Sequence, residues 1–164
     1  MYNHTKSQMY RCFLFSFAHS LNELPADFCC TVTLAIACDD ASYVYHDGDV
    51  VLSADGWRIA HTVNLDDACV LAVKAVDINS KIGLLASTST GLMTDASWKC
   101  SGVEQTGWHL PDFDDTAWAQ AQVVAPNDGS FWLGVVAEIN PAAQWIWTQD
   151  VSNDDTVYCR KTLC

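Results

Sequence analysis

Basic residues, glutamates and helical periodicity are all scarce in this 164-residue chain. Eight Lys and Arg stand against 20 acids, a formal net charge of −12. A nucleic-acid binder needs a basic face to displace counterions from phosphates, so DNA and RNA are excluded as partners. An anionic membrane surface is disfavoured for the same reason. No apolar run approaches the roughly 20 residues of a membrane span, so membrane insertion is not expected. Only Glu23, Glu104 and Glu138 are glutamates, and the other 17 acids are aspartates. Glu favours helices, whereas the short Asp side chain bonds nearby backbone N–H groups in turns and caps. The negative charge therefore belongs to loops, as in an all-β protein.

Catalytic signatures are missing as well. There is no G-x-S-x-G elbow, dinucleotide fingerprint or phosphate loop. His46, His61 and His109 are scattered, and with so many aspartates a pair of carboxylates for glycoside hydrolysis carries no information. The chain reads as a non-enzyme. None of the eight cysteines forms a C-x-x-C pair, and no His stands at zinc-finger spacing from them, so structural zinc is not expected. An even, dispersed set points instead to disulfides and a secreted, extracellular setting. The sequon Asn3-His4-Thr5 is compatible with that. Cys100 and Cys159 each sit in a short strand beside aromatic residues, and they are the expected bridge. Residues 1–22 read either as a first strand or as a signal-like leader.

Short strands separated by turns dominate what is present. Ala35 to Trp57, "AIACDDASYVYHDGDVVLSADGW", reads as strand, acidic corner, strand, hairpin turn at Asp47-Gly48, strand, then Trp57. Thr31 to Ala37 and Ile82 to Ala86 are further strands. Cys69 to Val76, "CVLAVKAV", is nearly continuous apolar and reads as a central strand. "TDASWKC", "AAQWIWT" and "TVYCRKTL" supply strands in the second half. "PDFDDTAW" reads as a single helical turn capped by Asp112 or Asp114. These signals predict an antiparallel β-sandwich of about eight strands with jelly-roll connections and little helix.

Two sets of residues are candidates for recognition. Asp39 and Asp40 form an acidic strand end, and an up-and-down hairpin should bring Asp55 to the same end of the sheet, with Asp47-Gly48 at the other. Asp39, Asp40 and Asp55, with Trp57 alongside, can hold Ca²⁺ or a sugar; simple backbone capping is the plainer alternative. Of the seven tryptophans, Trp145 and Trp147 alternate with Ile146 and should share one sheet face. Trp57 sits at the edge of a turn. Trp108 and Trp132, in Gly- and Asp-rich loops, are the candidates for exposed stacking contacts.

The strings "CDDASYVYHDG…DGW", "VLAVKAVD", "GLLAS", "TDASWKC", "FDDTAW" and "QWIWT" together resemble the galactose-binding-like β-sandwich domains. These are accessory modules of bacterial rhamnosidases and β-galactosidase-type enzymes, with similar repeats in secreted invertebrate proteins. The resemblance spans roughly Thr31 to Arg160, within a domain of residues 23–164. It implies a non-catalytic module that binds carbohydrate or glycoprotein and requires no cofactor. The alternatives it leaves are a structural or adhesive repeat that contacts sister domains, or an accessory fragment of a glycoside hydrolase. In such modules a "WIW…VYxRK" segment can open a domain as well as close one, so 144–164 reads either way.

Overall fold

The turn and strand signals translate into eleven strands and, among the described residues, no helix. The computed structural model describes residues 32–66, 68–78, 82–130 and 134–163; the expected N-terminal segment, the sequon and Trp132 lie outside them. The strands are β1 (Val32–Asp39), β2 (Ala41–His46), β3 (Asp49–Asp55), β4 (His61–Leu65), β5 (Val70–Val76), β6 (Gly83–Thr88), β7 (Lys99–Ser101), β8 (Ala119–Gln120), β9 (Gln122–Pro126), β10 (Gln144–Trp147) and β11 (Thr156–Thr162). They form two antiparallel sheets, ordered β4-β1-β6-β10-β9 and β3-β2-β5-β11-β7-β8. Only the β2–β3, β7–β8 and β9–β10 connections stay within one sheet. The chain otherwise crosses between sheets, the jelly-roll habit. The count exceeds the expected eight because short pieces such as β7 and β8, of three and two residues, pair at one edge. β10 and β11 both belong to this sandwich, and β11 lies between β5 and β7.

Alternation builds the inner core. Leu34, Ile36 and Leu84 from one sheet meet Val44, Leu71, Val73 and Val157 from the other, all essentially inaccessible to solvent. Burial of each such side chain contributes about 1.5–3 kcal/mol. The hairpin turn is held by its own chemistry. Asp47 (φ 48°) and Gly48 (φ 105°) both take positive φ, as a tight primed turn requires. The Asp47 carboxylate then accepts the backbone N–H groups of Cys69 and Val70, at 3.0 and 2.7 Å, tying the turn to the start of β5.

Both outer faces are also covered. The segment between β7 and β8 folds over the six-stranded sheet, placing Trp108, Phe113 and Trp118 on Val70, Ala72 and Tyr158. The segment between β9 and β10 covers the five-stranded sheet, placing Val136, Ile139 and Ala143 on Ala35, Ala37, Leu85 and Trp145. Buried Asn127 clamps that second cover: its amide donates to the carbonyls of Val136 and Ile139, and its carbonyl accepts the Val136 N–H at 2.9 Å.

The first cover is anchored by charge. Arg160 is 1% exposed and donates to Asp115 Oδ2 at 2.8 Å and to the carbonyls of Phe113 and Leu110. Lys99 Nζ reaches Asp115 Oδ1 at 3.0 Å. "FDDTAW" and the Arg160 of "VYCRK" are thus two halves of one structural clamp. The expected helical turn over "PDFDDTAW" is instead a series of turns, in which Asp114 Oδ1 accepts the Thr116 N–H. A tandem of Asp side chains that bond nearby backbone favours turns over a continuing helix.

Cys100 and Cys159 are direct cross-strand neighbours in β7 and β11, with Cα atoms 4.1 Å apart, and they form the expected disulfide. Trp145 and Trp147 do not share a face. A register shift between Trp145 and Ile146 breaks the two-residue alternation, so Trp145 joins the outer cluster while Ile146 and Trp147 both enter the inner core.

Candidate functional site

The register brings Asp40 and Asp55 to one end of the sandwich, since Ala41 pairs with Asp55. The Asp47-Gly48 turn falls at the opposite end. At the acidic end, Asp40 works as a backbone staple. Its N–H donates to the Val76 carbonyl at 2.6 Å, its carbonyl accepts the Gly56 N–H at 2.6 Å, and its Oδ2 accepts the Ile78 N–H at 2.7 Å. Asp39 is 3% exposed at the end of β1, while Asp55 is exposed. Among the described residues no three His, Cys, Asp or Glu side chains gather as a metal-ligand set, so the structure does not bring Asp39, Asp40 and Asp55 together as one. Cys38, beside them, is buried and free. Burial, reinforced by the neighbouring Asp39, Asp40 and Asp77 carboxylates, pushes its thiol far up.

The tryptophan expectations resolve one by one. Trp57 is half-buried against the outer cluster of the five-stranded sheet, and Arg58 lies over its ring at 4.9 Å. Trp108 is not an exposed contact: at 2% exposure it is enclosed by Tyr45, Trp118 and Tyr158, with ring centroids 5.1–6.5 Å away. Its loop is polar on one side only, and the apolar side is drawn down onto the otherwise bare face of β5. Beside it, Tyr158 donates to Glu104 Oε2 at 3.0 Å. Burial and that carboxylate push the Tyr158 phenol up to about 12.

A cleft of about 300 Å³ opens at the β7–β8 edge, where the β10–β11 turn comes alongside. Trp118, Thr148 and Asp154 form its inner part, and Gln105, Gln149 and Asp150 stand exposed around it, with Ala117 and Ala119 as a small apolar wall. The turn holds Asp154 rigidly. Its N–H bonds the Asp150 carbonyl, its own carbonyl accepts Trp147 Nε1–H at 2.8 Å, and its Oδ2 accepts the Thr148 hydroxyl at 2.6 Å. Asp154 Oδ1 lies against Gly102, where a Cβ would overlap the carboxylate. Glycine at 102 is therefore what lets the carboxylate occupy that position. Trp118 is 7% exposed, and its indole Nε1 has no hydrogen-bond partner. The Trp145 indole Nε1 and Arg160 Nε are in the same state among the described residues. Sequence reading missed this group because Trp118, Asp154 and Gly102 meet only through tertiary pairing; the glycine in the short "CSGVE" stretch was the available signal.

The fold is an antiparallel β-sandwich of a kind also found in a fungal lectin. The apo Pleurotus ostreatus lectin superposes with a TM-score of 0.55 at 24% identity, over 79% of this chain and 44% of the lectin. The lectin from Pleurotus ostreatus in complex with GalNAc gives 0.53 at 22% identity, over 68% of this chain and 38% of the lectin. At these identities the likeness is one of fold. In sequence, the chain is homologous to a segment of an α-L-rhamnosidase from Streptomyces avermitilis, 34% identical over 143 residues, covering 74% of this chain. The match takes in 14% of the rhamnosidase, so the chain spans about one seventh of that relative. No family profile matches the chain.

Proposed function

We propose that this chain is a non-catalytic carbohydrate-binding module of an extracellular protein. The cleft at the β7–β8 edge carries the reading: an indole, a fixed carboxylate and two carboxamides surround a space of monosaccharide size in a fold that a lectin also uses. Sugars present hydroxyls to such acceptors and C–H faces to apolar walls. The homology to a rhamnosidase segment favours a more specific setting, in which the module is the accessory part of a larger glycoside hydrolase. The Cys100–Cys159 disulfide supports an oxidising compartment.

A panel of immobilised glycans, probed with the chain and followed by light scattering, tests this. Selective retention of glycans by a monomer supports it. Absence of binding to every glycan, with self-association instead, supports the structural-repeat alternative. Addition of calcium should leave binding unchanged. Calcium dependence of both binding and thermal midpoint would require a metal site that this reading omits.

A further inference from the structure

We infer that the uncovered part of the six-stranded sheet's outer face is a second glycan site, where a short uncharged oligosaccharide stacks on Tyr43 and hydrogen-bonds to Lys74 and Glu104. This rests on the carbohydrate-binding reading and adds a site apart from the β7–β8 cleft. The first observation is where the cover stops. Val44 is buried in the inner core, so Tyr43 and Tyr45 on either side of it face outward. Trp108 packs on Tyr45 and Tyr158 and closes that end of the face. Beside it runs a row of cross-strand neighbours, Ser53, Tyr43, Lys74 and Tyr158, on β3, β2, β5 and β11. Tyr43 is 40% exposed, Ser53 is exposed and Lys74 is half-buried.

The second observation is the set of polar groups gathered on that row. Lys74 Nζ lies 5.7 Å from the Tyr158 ring centroid and makes no ion pair or hydrogen bond with the described residues. Glu104, exposed where the cover begins, accepts the Tyr158 hydroxyl through Oε2, while its Oε1 receives no donor from the described residues. The hydroxyls of Tyr43 and Tyr45 are bonded to none of them either. Tyr45 ties the group together: burial first, then the nearby Glu104 and Tyr43, raise its phenol. A cationic donor, a carboxylate acceptor and an exposed ring thus share one strip. Tyr43, Lys74 and Tyr158 stand on strands hydrogen-bonded on both sides, so little backbone ordering remains when a ligand arrives.

The third observation is the size and charge of the strip, which select its occupant. The row crosses three strand spacings, about 14 Å, and with the neighbouring rows through Tyr45 and Val76 it covers roughly 200 Å². A stable protein partner needs about 800 Å² on each side. An extended peptide cannot add by main-chain pairing here, because β2, β5 and β11 have no free edge. Lys74 and Glu104 offset one another, so an ionic ligand meets no net opposite charge in a chain of −12. A neutral sugar chain matches what is left. It presents C–H faces to Tyr43 and hydroxyls that donate to Glu104 and accept from Lys74.

We would titrate the chain by calorimetry with xylotetraose, cellotetraose and β-1,4-galactotetraose, and with the methyl glycosides of the same sugars. At least one tetrasaccharide should bind, and at least about tenfold more tightly than its methyl glycoside, equivalent to about 1.4 kcal/mol. Tyr43→Ala should weaken that tetrasaccharide about tenfold or more, and Tyr43→Phe, which keeps the ring, should weaken it less. Lys74→Met, which keeps the apolar stem and removes the donor, should weaken it about tenfold. These changes should leave the thermal midpoint in place. Ala117→Tyr, at an exposed position in the cleft, should leave tetrasaccharide binding as in the parent.

If a tetrasaccharide binds and both Tyr43→Ala and Lys74→Met bind it like the parent, the second site is wrong, and loss in Ala117→Tyr then assigns that sugar to the cleft. If no tetrasaccharide binds more tightly than its methyl glycoside, the strip does not hold a chain and the inference is wrong. If glycans on the wider panel bind but none of these neutral chains does, the module binds carbohydrate and this site is again wrong. If no glycan binds at all, the carbohydrate reading fails with it.

Discussion

Removing Asp115 should release the cover on the six-stranded sheet. Arg160 is buried to 1% exposure, and Asp115 is its only carboxylate partner among the described residues; what remains are the neutral carbonyls of Phe113 and Leu110. Breaking a buried ion pair by deleting one partner typically costs about 3–5 kcal/mol, because a charge is left uncompensated. The Asp115 side chain is 17% exposed, so water reaches the site and the lower end applies, about 3 kcal/mol for Asp115→Ala. Lys99 is 31% exposed on its side of the same carboxylate, so Lys99→Ala should cost less than about 1 kcal/mol. Urea denaturation followed by tryptophan fluorescence reads both numbers. Because Trp108 and Trp118 belong to the cover and are buried by its packing on the sheet, Asp115→Ala should also red-shift the native emission. Replacing both charges, as in Arg160→Met with Asp115→Ala, should restore part of the lost stability. An Asp115→Ala variant that loses no more than Lys99→Ala does, with unchanged emission, would refute the clamp.

The Cys100–Cys159 bridge closes a loop with a sequence separation of 59, and loop entropy gives about 4 kcal/mol for its removal in the Cys100→Ala, Cys159→Ala variant, read from denaturant midpoints. Asn127→Ala should cost about 2–4 kcal/mol, since it leaves the Val136 N–H and two carbonyls without their partner; proteolysis within 134–143 should quicken in parallel. Tyr158 has its folded pKa raised from 10.0 to about 12, so its contribution to stability is complete below pH 10 and is lost as pH rises from 10 toward 12. Ultraviolet tyrosinate titration should show this late ionisation, and Glu104→Gln should bring it earlier. Cys38 should resist alkylation in the native chain and react only on unfolding; peptide mapping after labelling decides this.

Much of the architecture was legible because it rests on local chemistry. Asp47-Gly48 dictates its turn whatever surrounds it, and alternation in "SYVYH" fixes which side chains of β2 face inward. The placement of Asp40 and Asp55 at one end follows from strand counting alone. The two outer covers were harder to see. Their segments look like exposed polar loops, yet "CVLAVKAV" carries the clue: a strand apolar on both faces must be covered on both. Read that way, something had to lie on Val70 and Ala72, and Trp108 was a candidate for burial rather than for contact. The bulge at Trp145–Ile146 leaves no mark in the sequence, so the alternation rule failed there. The cleft was invisible for a different reason. Its parts come from β7 and the loop after it, the entry to β8 and the turn between β10 and β11, and only the packing of one sheet on the other makes them neighbours.

The most direct test of the account is the indole region of a nitrogen-15 spectrum during titration with a neutral sugar, methyl galactoside or N-acetylgalactosamine. Single substitutions of the seven tryptophans assign their indole N–H signals. With the cleft as the site, the Trp118 indole N–H moves on saturation because its ring lines the cleft, while that of Trp98, in the inner core and bonded to the Met93 carbonyl, stays near its original position. A sugar that saturates the chain and leaves the Trp118 signal where it was would contradict the account.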